Sequence, residues 1–384
     1  MTKRVLIITR HILSQNNGGA NATKSFINCF SALFNDCSLI CPIYDSHANS
    51  IIPHKIKVFS YEDHRNRIQK GLDCWRGRIC ANELFVKQHL KEHYYDIVVI
   101  DHSFSGASLA KTIKATGAKL ITIHHNVECN YQYDNRKDYS LLFRWPYIHH
   151  AIKAERMCLR YSDTNLTLTE SDAREFQSWY PDTDLHIHIW GTFEYRPIET
   201  KTFIPRNHSH QFVITGSLNF VQSLFPIMEF IDDYWPIAKQ ECPDAKLIIA
   251  GRNPSDVLIR KCNKDARIML IPNPDNIESV VQEANYYICP INLGSGLKLR
   301  IMDGLKQGLP VLCHEVSIAG YEQIAAGNGL FSYQDETSFR TALQEMLSTD
   351  INPNDIFQLY KETFSLDTGI ERLHDILTKE HYLP

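Results

Sequence analysis

Short, continuously apolar runs recur along this chain. They are RVLIIT, CSLICPI, KIKVFSY, DIVVID, KLITIHH, TNLTLT and LHIHIW in the first half, then FVITGS, KLIIAG, IMLIPN, YYICPI, PVLCHEV and GLFSY in the second. Runs of this kind suit strands buried on both faces, as in a parallel sheet covered by helices. The stretches between them are helix-like, as the crossovers between parallel strands require. The pattern predicts an α/β chain made of two doubly wound domains.

The segment Phe193–Gln211, FEYRPIETKTFIPRNHSHQ, has prolines, scattered charge and no periodicity, and reads as the linker. It separates a first domain over 1–195 from a second over 210–364. After the last strand-like run, near Tyr333, two helical stretches follow, DETSFRTALQEMLS and TGIERLHDILTKEHY. In the second, Ile370, Leu373, Ile376 and Leu377 share one face. The 384 residues, 43% hydrophobic and 22% charged, are enough for two ordinary cores. No apolar run approaches the roughly 20 residues of a membrane span, and the apolar part of MTKRVLIITRH is too short for a signal-peptide core. The 11 cysteines are scattered, without a CxxC pair. They read as buried, reduced thiols of a cytosolic protein. Net charge is −4, with a slight positive excess before residue 200 and a negative one after it, too small an imbalance to imply nucleic acid.

Open parallel sheets bind ligands at the carboxyl ends of their strands, so the residues there carry the functional signal. After the first strand, Asn17-Gly18-Gly19 makes a turn into a helix start, where free amides favour anions. Asp101-His102 follows DIVVI, and His124-His125-Asn126-Val127-Glu128 follows KLITI. Each alone is more often a hydrogen-bonded turn; several on one edge point to chemistry. The pairs His149-His150 and His186/His188 show no ligand spacing, so no metal site is expected. In the second half the strand ends carry Gly216-Ser217, Gly251-Arg252-Asn253, a Pro272–Asn276 turn and NLGSGLKLRIMDGL. Arg252 alone reads as surface charge and Lys298 alone as a helix lysine. Beside a Gly-Ser-Gly turn they describe a diphosphate site, with amides and helix dipole for the oxygens and Lys298 for charge. Neither GxxxxGK[ST] nor GxGxxG is present. Asp303, flanked by Ile301, Met302 and Leu305, is expected to be partly buried and to accept bonds from vicinal hydroxyls, as on a ribose.

The stretch TGSLNF…AGRNP…PNPDN…CPINLGSGLKLRIMDGLKQGLPVLCHEVSIAGYE resembles the nucleotide-sugar domain of glycosyltransferase family 4, retaining enzymes of the GT-B fold. NNGGANATKSF and HHNVE resemble its acceptor domain, and FSLDTGIERLHDIL looks like its final helix. The resemblance implies two Rossmann-like domains, an interdomain cleft, and a C-terminal helix over 365–384 that crosses back to the first domain. It also implies site roles. Gly216 and Ser217 approach the donor phosphates. Asn273, in the Pro272–Asn276 turn, frames the base. Ser295, Gly296, Leu297 and Lys298 hold the diphosphate and the transferred sugar, and Asp303 meets the ribose. Gly18 and Gly19 lie opposite the donor, His124 or His125 lies near the transferred sugar, and His102, Asn126 and Glu128 lie on the acceptor side. The chain departs from the family in two places. Its glutamate pair, eight positions apart, reads Ser295 and Asp303. Its Arg and Lys after the first strand of the second domain are missing from GSLNFVQSLFP, which leaves Lys298 and Arg252 to supply charge.

The implied activity is retaining transfer of a sugar from a nucleotide diphosphate sugar to a hydroxyl of a glycan or lipid-linked acceptor, in bacterial surface polysaccharide or glycoconjugate synthesis. No cofactor beyond the donor and no metal is implied, because fixed positive groups meet the diphosphate. Asp182-Thr183-Asp184 matches a metal-binding DxD by letters but sits in a polar turn. The segment NRKDYSLLFRWPYIHHAIKAERMCLRYS mixes basic and aromatic residues, so the expected location is cytoplasmic, with peripheral contact at the inner membrane face as the sharper reading and a solvated basic helix as the plainer one. Two rival readings share the architecture: a non-catalytic nucleotide-sugar-binding protein and a nucleotide-sugar epimerase.

Overall fold

The computed structural model describes all residues except 1–2, 16, 44–50, 76–79, 81, 137–139, 204–208, 295, 323, 325–327 and 384. The chain forms two compact units, Met1–Ile198 with Phe364–Pro384, and Glu199–Thr363.

Each apolar run becomes a strand. The first unit contains β1 (Arg4–Thr9), β2 (Asp36–Pro42), β3 (Lys57–Tyr61), β4 (Ile97–Asp101), β5 (Lys119–His124), β6 (Thr164–Thr167) and β7 (Ile187–Ile189). They pair in parallel in the order β3-β2-β1-β4-β5-β6-β7. The second unit contains β8 (Gln211–Ser217), β9 (Lys246–Arg252), β10 (Ile268–Pro272), β11 (Tyr286–Cys289), β12 (Val311–His314) and β13 (Leu330–Tyr333), parallel in the order β10-β9-β8-β11-β12-β13. Strand order reverses at β1/β4 in one sheet and at β8/β11 in the other, the positions where doubly wound sheets hold ligands. Burial on both faces holds for central strands such as β1 and β4 but not for the edge strands β3, β7 and β10, which have a neighbour on one side only.

The chain after Tyr333 corrects one expectation. It forms helices Glu336–Ser348, Pro353–Phe364 and Leu366–Lys379, one more than the periodicity suggested. The middle helix ends just before Ser365, whose hydroxyl accepts from Thr368 N and caps the last helix. That last helix belongs to the first unit. It buries Leu373 and Leu377 and packs against helix Gly18–Leu33. The indole of Trp190 donates to Gly369 O at 3.0 Å, and Tyr382 and Glu380 bond Thr164 and His188.

Gly216 and Gly251 face each other in the β8–β9 register. A Cβ on Gly251 would sit 1.7 Å from Gly216 O, a backbone atom that cannot swing away. Gly251→Ala is therefore expected to cost about 3 kcal/mol of stability, read as a lowered denaturant midpoint; an unchanged midpoint would contradict this packing.

Candidate functional site

In the second unit the predicted residues gather at one sheet edge. Gly216 and Ser217 end β8, Arg252 ends β9, Asn273 follows β10, and the loop from Asn292 follows β11. The positive charge is placed differently from the expectation. Lys298 Nζ donates to Gly294 O at 2.7 Å and Gly296 O at 3.3 Å, so this lysine holds its own loop together. The group at the strand ends is Arg300, which sequence reasoning passed over. Its guanidinium occupies the place a Gly216 side chain would take, 2.3–2.5 Å from an ideal Cβ, and its Nη2 donates to Ser223 Oγ at 2.7 Å. The signal was available: Arg300 lies two positions beyond Lys298 and opens helix Arg300–Leu305.

That helix has only six residues, too short to act as a dipole site by itself. Asp303 lies in its first turn and is exposed, which corrects the expected partial burial. Its Oδ2 accepts from Thr215 Oγ1 at 3.4 Å, at the end of β8. Arg252 is exposed. Asn273, at φ 50°, accepts from Asn253 N at 2.8 Å and ties the β9 and β10 loops. Gly296 is buried and Leu297 half-buried; Ser295 lies outside the described residues.

The first unit separates the two histidines left as alternatives. His124 is buried on the side of helix Glu170–Trp179, bonds Asn165 Oδ1 at 3.0 Å and packs on Phe176. Burial lowers its pKa to about 4. This is a core position, which corrects its reading as a ligand-facing group. His125 Nε2 bonds Asp101 Oδ1 at 2.7 Å. Asp101 Oδ2 accepts from Thr9 and Thr23 at 2.7 and 2.6 Å. Burial opposes ionisation of Asp101, but His125, His11 and the Thr23 hydroxyl outweigh it and hold the carboxyl below its usual range. His11, which follows β1, stacks near His125, and burial lowers its pKa to about 3. His11 also sits at a strand end, so the rule that flagged His102 and His125 applied to it as well. Gly19 gives its ring room: a Cβ there would lie 2.5 Å from His11 Cε1. Gly18 opens the same helix, which is capped by Asn17. His102 has φ 83°, strained for a non-glycine residue, and lies 3.4 Å from Glu128 Oε2. Asn126, half-buried, has Oδ1 enclosed without a partner among the described atoms. Asp184 bonds the backbone of His186, so Asp182–Asp184 is a turn.

Glu128 starts helix Glu128–Asn135, and its amide and that of Cys129 donate to the buried Glu155 carboxylate. Burial raises Glu128 to about 7 and Glu155 to about 8. Both folded values exceed the unfolded ones, so their stabilisation is full in acid and is lost as pH rises through 7–8. The buried histidines act in the opposite sense, but only below about pH 6.5. Between pH 6.5 and 8.5 the protein is therefore expected to lose roughly 2 kcal/mol through Glu155. Glu155→Gln should flatten that slope in thermal melts; an equal slope would remove this pair as the cause.

Ten cysteines, among them Cys29, Cys158 and Cys313, are free thiols. No helix among the described residues is long and apolar enough to cross a membrane.

Two all-parallel Rossmann-like sheets with polar groups gathered at their carboxyl edges define the fold of GT-B glycosyltransferases. Residues 209–349, most of the second unit, match the family described as Glycosyl transferases group 1. A curated relative, an uncharacterized 44.6 kDa protein in the cps region of Klebsiella pneumoniae, is 20% identical over 238 residues; the match spans 59% of each protein. Anabaena HepE in complex with UDP superposes with a TM-score of 0.70 at 10% identity, over 98% of this chain and 100% of that one. Sucrose-phosphate synthase from Thermosynechococcus elongatus gives 0.70 at 11%, over 99% of both chains. The lipopolysaccharide outer core galactosyltransferase WaaB in its apo form gives 0.67 at 15%, over 98% and 99%.

Proposed function

We propose that this chain is a retaining glycosyltransferase that moves a hexosyl group from a nucleotide diphosphate sugar to a hydroxyl of a glycan or lipid-linked acceptor, in bacterial surface polysaccharide or glycoconjugate synthesis. The observation that carries it is Arg300, held over Gly216 beside Ser223 in the unit that matches the family. A uridine diphosphate sugar is the donor to test first, because HepE has been solved with UDP and with UDP-glucose.

In this reading the bond from the sugar's anomeric carbon to the β-phosphate breaks, and the diphosphate leaves with the electron pair. The acceptor oxygen bonds the anomeric carbon on the same face, and its proton passes to the departing phosphate. Arg300, with Lys298 shaping the loop amides, stabilises the charge as it develops. Arg300 is a fixed cation for the diphosphate, so turnover should survive a chelator. Asp303 and Asn273 contact ribose and base. The first unit supplies the acceptor side, through His125, its ring set by Asp101, and through Gly18, Gly19, His102, Asn126 and Glu128.

Thermal shift against a sugar-nucleotide panel tests donor binding, since a ligand of the folded state raises apparent stability. NMR of the product then reads the anomer; an inverted anomer would refute retention. Binding without transfer or slow donor hydrolysis would leave a binding protein. Turnover of the donor without acceptor into an epimer would make it an epimerase.

A cytoplasmic location with peripheral membrane contact is part of the proposal. Helix Leu141–Tyr161 exposes Leu141, Leu142 and Trp145, while Arg136 and Arg144 lie over the rings of Tyr147 and Tyr133. Anionic liposomes are expected to float the protein, and Trp145→Glu to release it. No flotation with or without anionic lipid would remove the membrane contact.

A further inference from the structure

Three imidazoles and a carboxylate from different strand ends meet in the first unit. His11 follows β1, Asp101 ends β4 with His102 next, and His125 follows β5. The ring centroids lie 5.5 Å apart for His11–His102 and His11–His125, and 5.0 Å for His102–His125. One ligand-type atom from each of His11, Asp101 and His125 lies within 4.8 Å of the others.

These spacings suit a shared ion. Two imidazoles bound tetrahedrally at a zinc-like distance hold their ring centroids roughly 5 Å apart. Asp101 Oδ1 and His125 Nε2, at 2.7 Å, now share a proton. Two ligands of one tetrahedral ion stand roughly 3.3 Å apart, so an ion would displace that proton and open the pair slightly. The second oxygen of Asp101 is fixed by the Thr9 and Thr23 hydroxyls, the outer support a ligating carboxylate needs. His11 Nε2 and His102 Nδ1 are enclosed with no hydrogen-bond partner among the described atoms, a cost that a bound ion with its water would relieve.

We propose that His11, Asp101 and His125 bind a divalent transition-metal ion of the zinc class, with a fourth position left for water or a hydroxyl. The two-nitrogen, one-oxygen set suits zinc, cobalt or nickel rather than magnesium or calcium. The site lies wholly in the first unit. Binding would break the Asp101–His125 bond that orients the His125 ring, so the ion inhibits transfer. The inhibition rests on the transferase reading; the binding does not.

Titration of metal-free full-length protein with Co(II) tests the site directly. The expected result is a saturable one-to-one complex with tetrahedral visible absorption, displaced by Zn(II). His11→Ala should weaken Co(II) binding by at least about tenfold, with the fold checked by circular dichroism and His11→Gln used if the alanine variant unfolds. Absence of saturable binding, or binding unaltered by both His11 and His125→Gln substitutions, overturns the site. Turnover inhibited by Zn(II) and restored by chelator supports the inhibitory role. Zn(II)-insensitive turnover by a protein that binds Co(II) overturns the inhibition alone. A protein that binds Co(II) but transfers no sugar from any donor retains the metal site while the transferase reading fails.

Discussion

Arg300→Ala is expected to weaken binding of UDP and of a UDP-sugar by roughly ten- to a hundredfold. Charge-assisted hydrogen bonds to phosphate contribute about 1.5–3 kcal/mol, and each 1.4 kcal/mol is a factor of about ten in affinity. The guanidinium is held by Ser223 and lies over a residue with no side chain, so a phosphate can come close to it. Arg300→Lys should keep part of the affinity, because the charge stays and the planar fork is lost. Gly216→Ala should act in the same direction, since its methyl would claim the guanidinium's space, 2.3 Å away. Isothermal titration reads all three. Unchanged affinity in Arg300→Ala, for a protein that melts like the parent, would sink the diphosphate assignment.

Asp101→Ala is expected to be the most damaging single change in the first unit. The carboxylate is fully buried and serves Thr9, Thr23 and His125 together. Its removal leaves those buried groups without their acceptor, at a cost of about 3–5 kcal/mol in the unfolding free energy. Asp101→Asn separates stability from function. It keeps the shape and an acceptor oxygen for the threonines but replaces the charged partner of His125 with an amide. The stability loss should then be smaller, while turnover should fall by roughly a hundredfold or more. An Asn variant with full turnover would show that His125 needs no charged partner.

The strands were legible because a parallel sheet covered by helices leaves short, continuously apolar runs, which is a local property; their order in each sheet was not. The helix Pro353–Phe364 was missed because it lies between breakers, after Asn352 and before the Ser365 cap, and adds no new strand to mark it. The structure divides at Ile198/Glu199, inside the segment Phe193–Gln211. Polar and charged residues do gather at the carboxyl edges of both sheets. Local pattern could not distribute roles among neighbours there. His124 and His125 are adjacent letters on opposite sides of a strand, and side-chain alternation sends one to the Phe176 core and the other to Asp101. Lys298 and Arg300 differ by two positions; the loop's own carbonyls engage the first, and the glycine at the end of β8 makes room for the second.

By itself the sequence determined the class of each domain and the sheet edges at which polar residues gather, because periodicity and turn residues act over a few positions. The tertiary structure decided which residues meet. His11, Asp101 and His125 are far apart in the chain, and Arg300 is far from Gly216. Parallel pairing of β1 with β4 and of β4 with β5, and the packing of the Arg300 helix beside β11 and β12, bring them together.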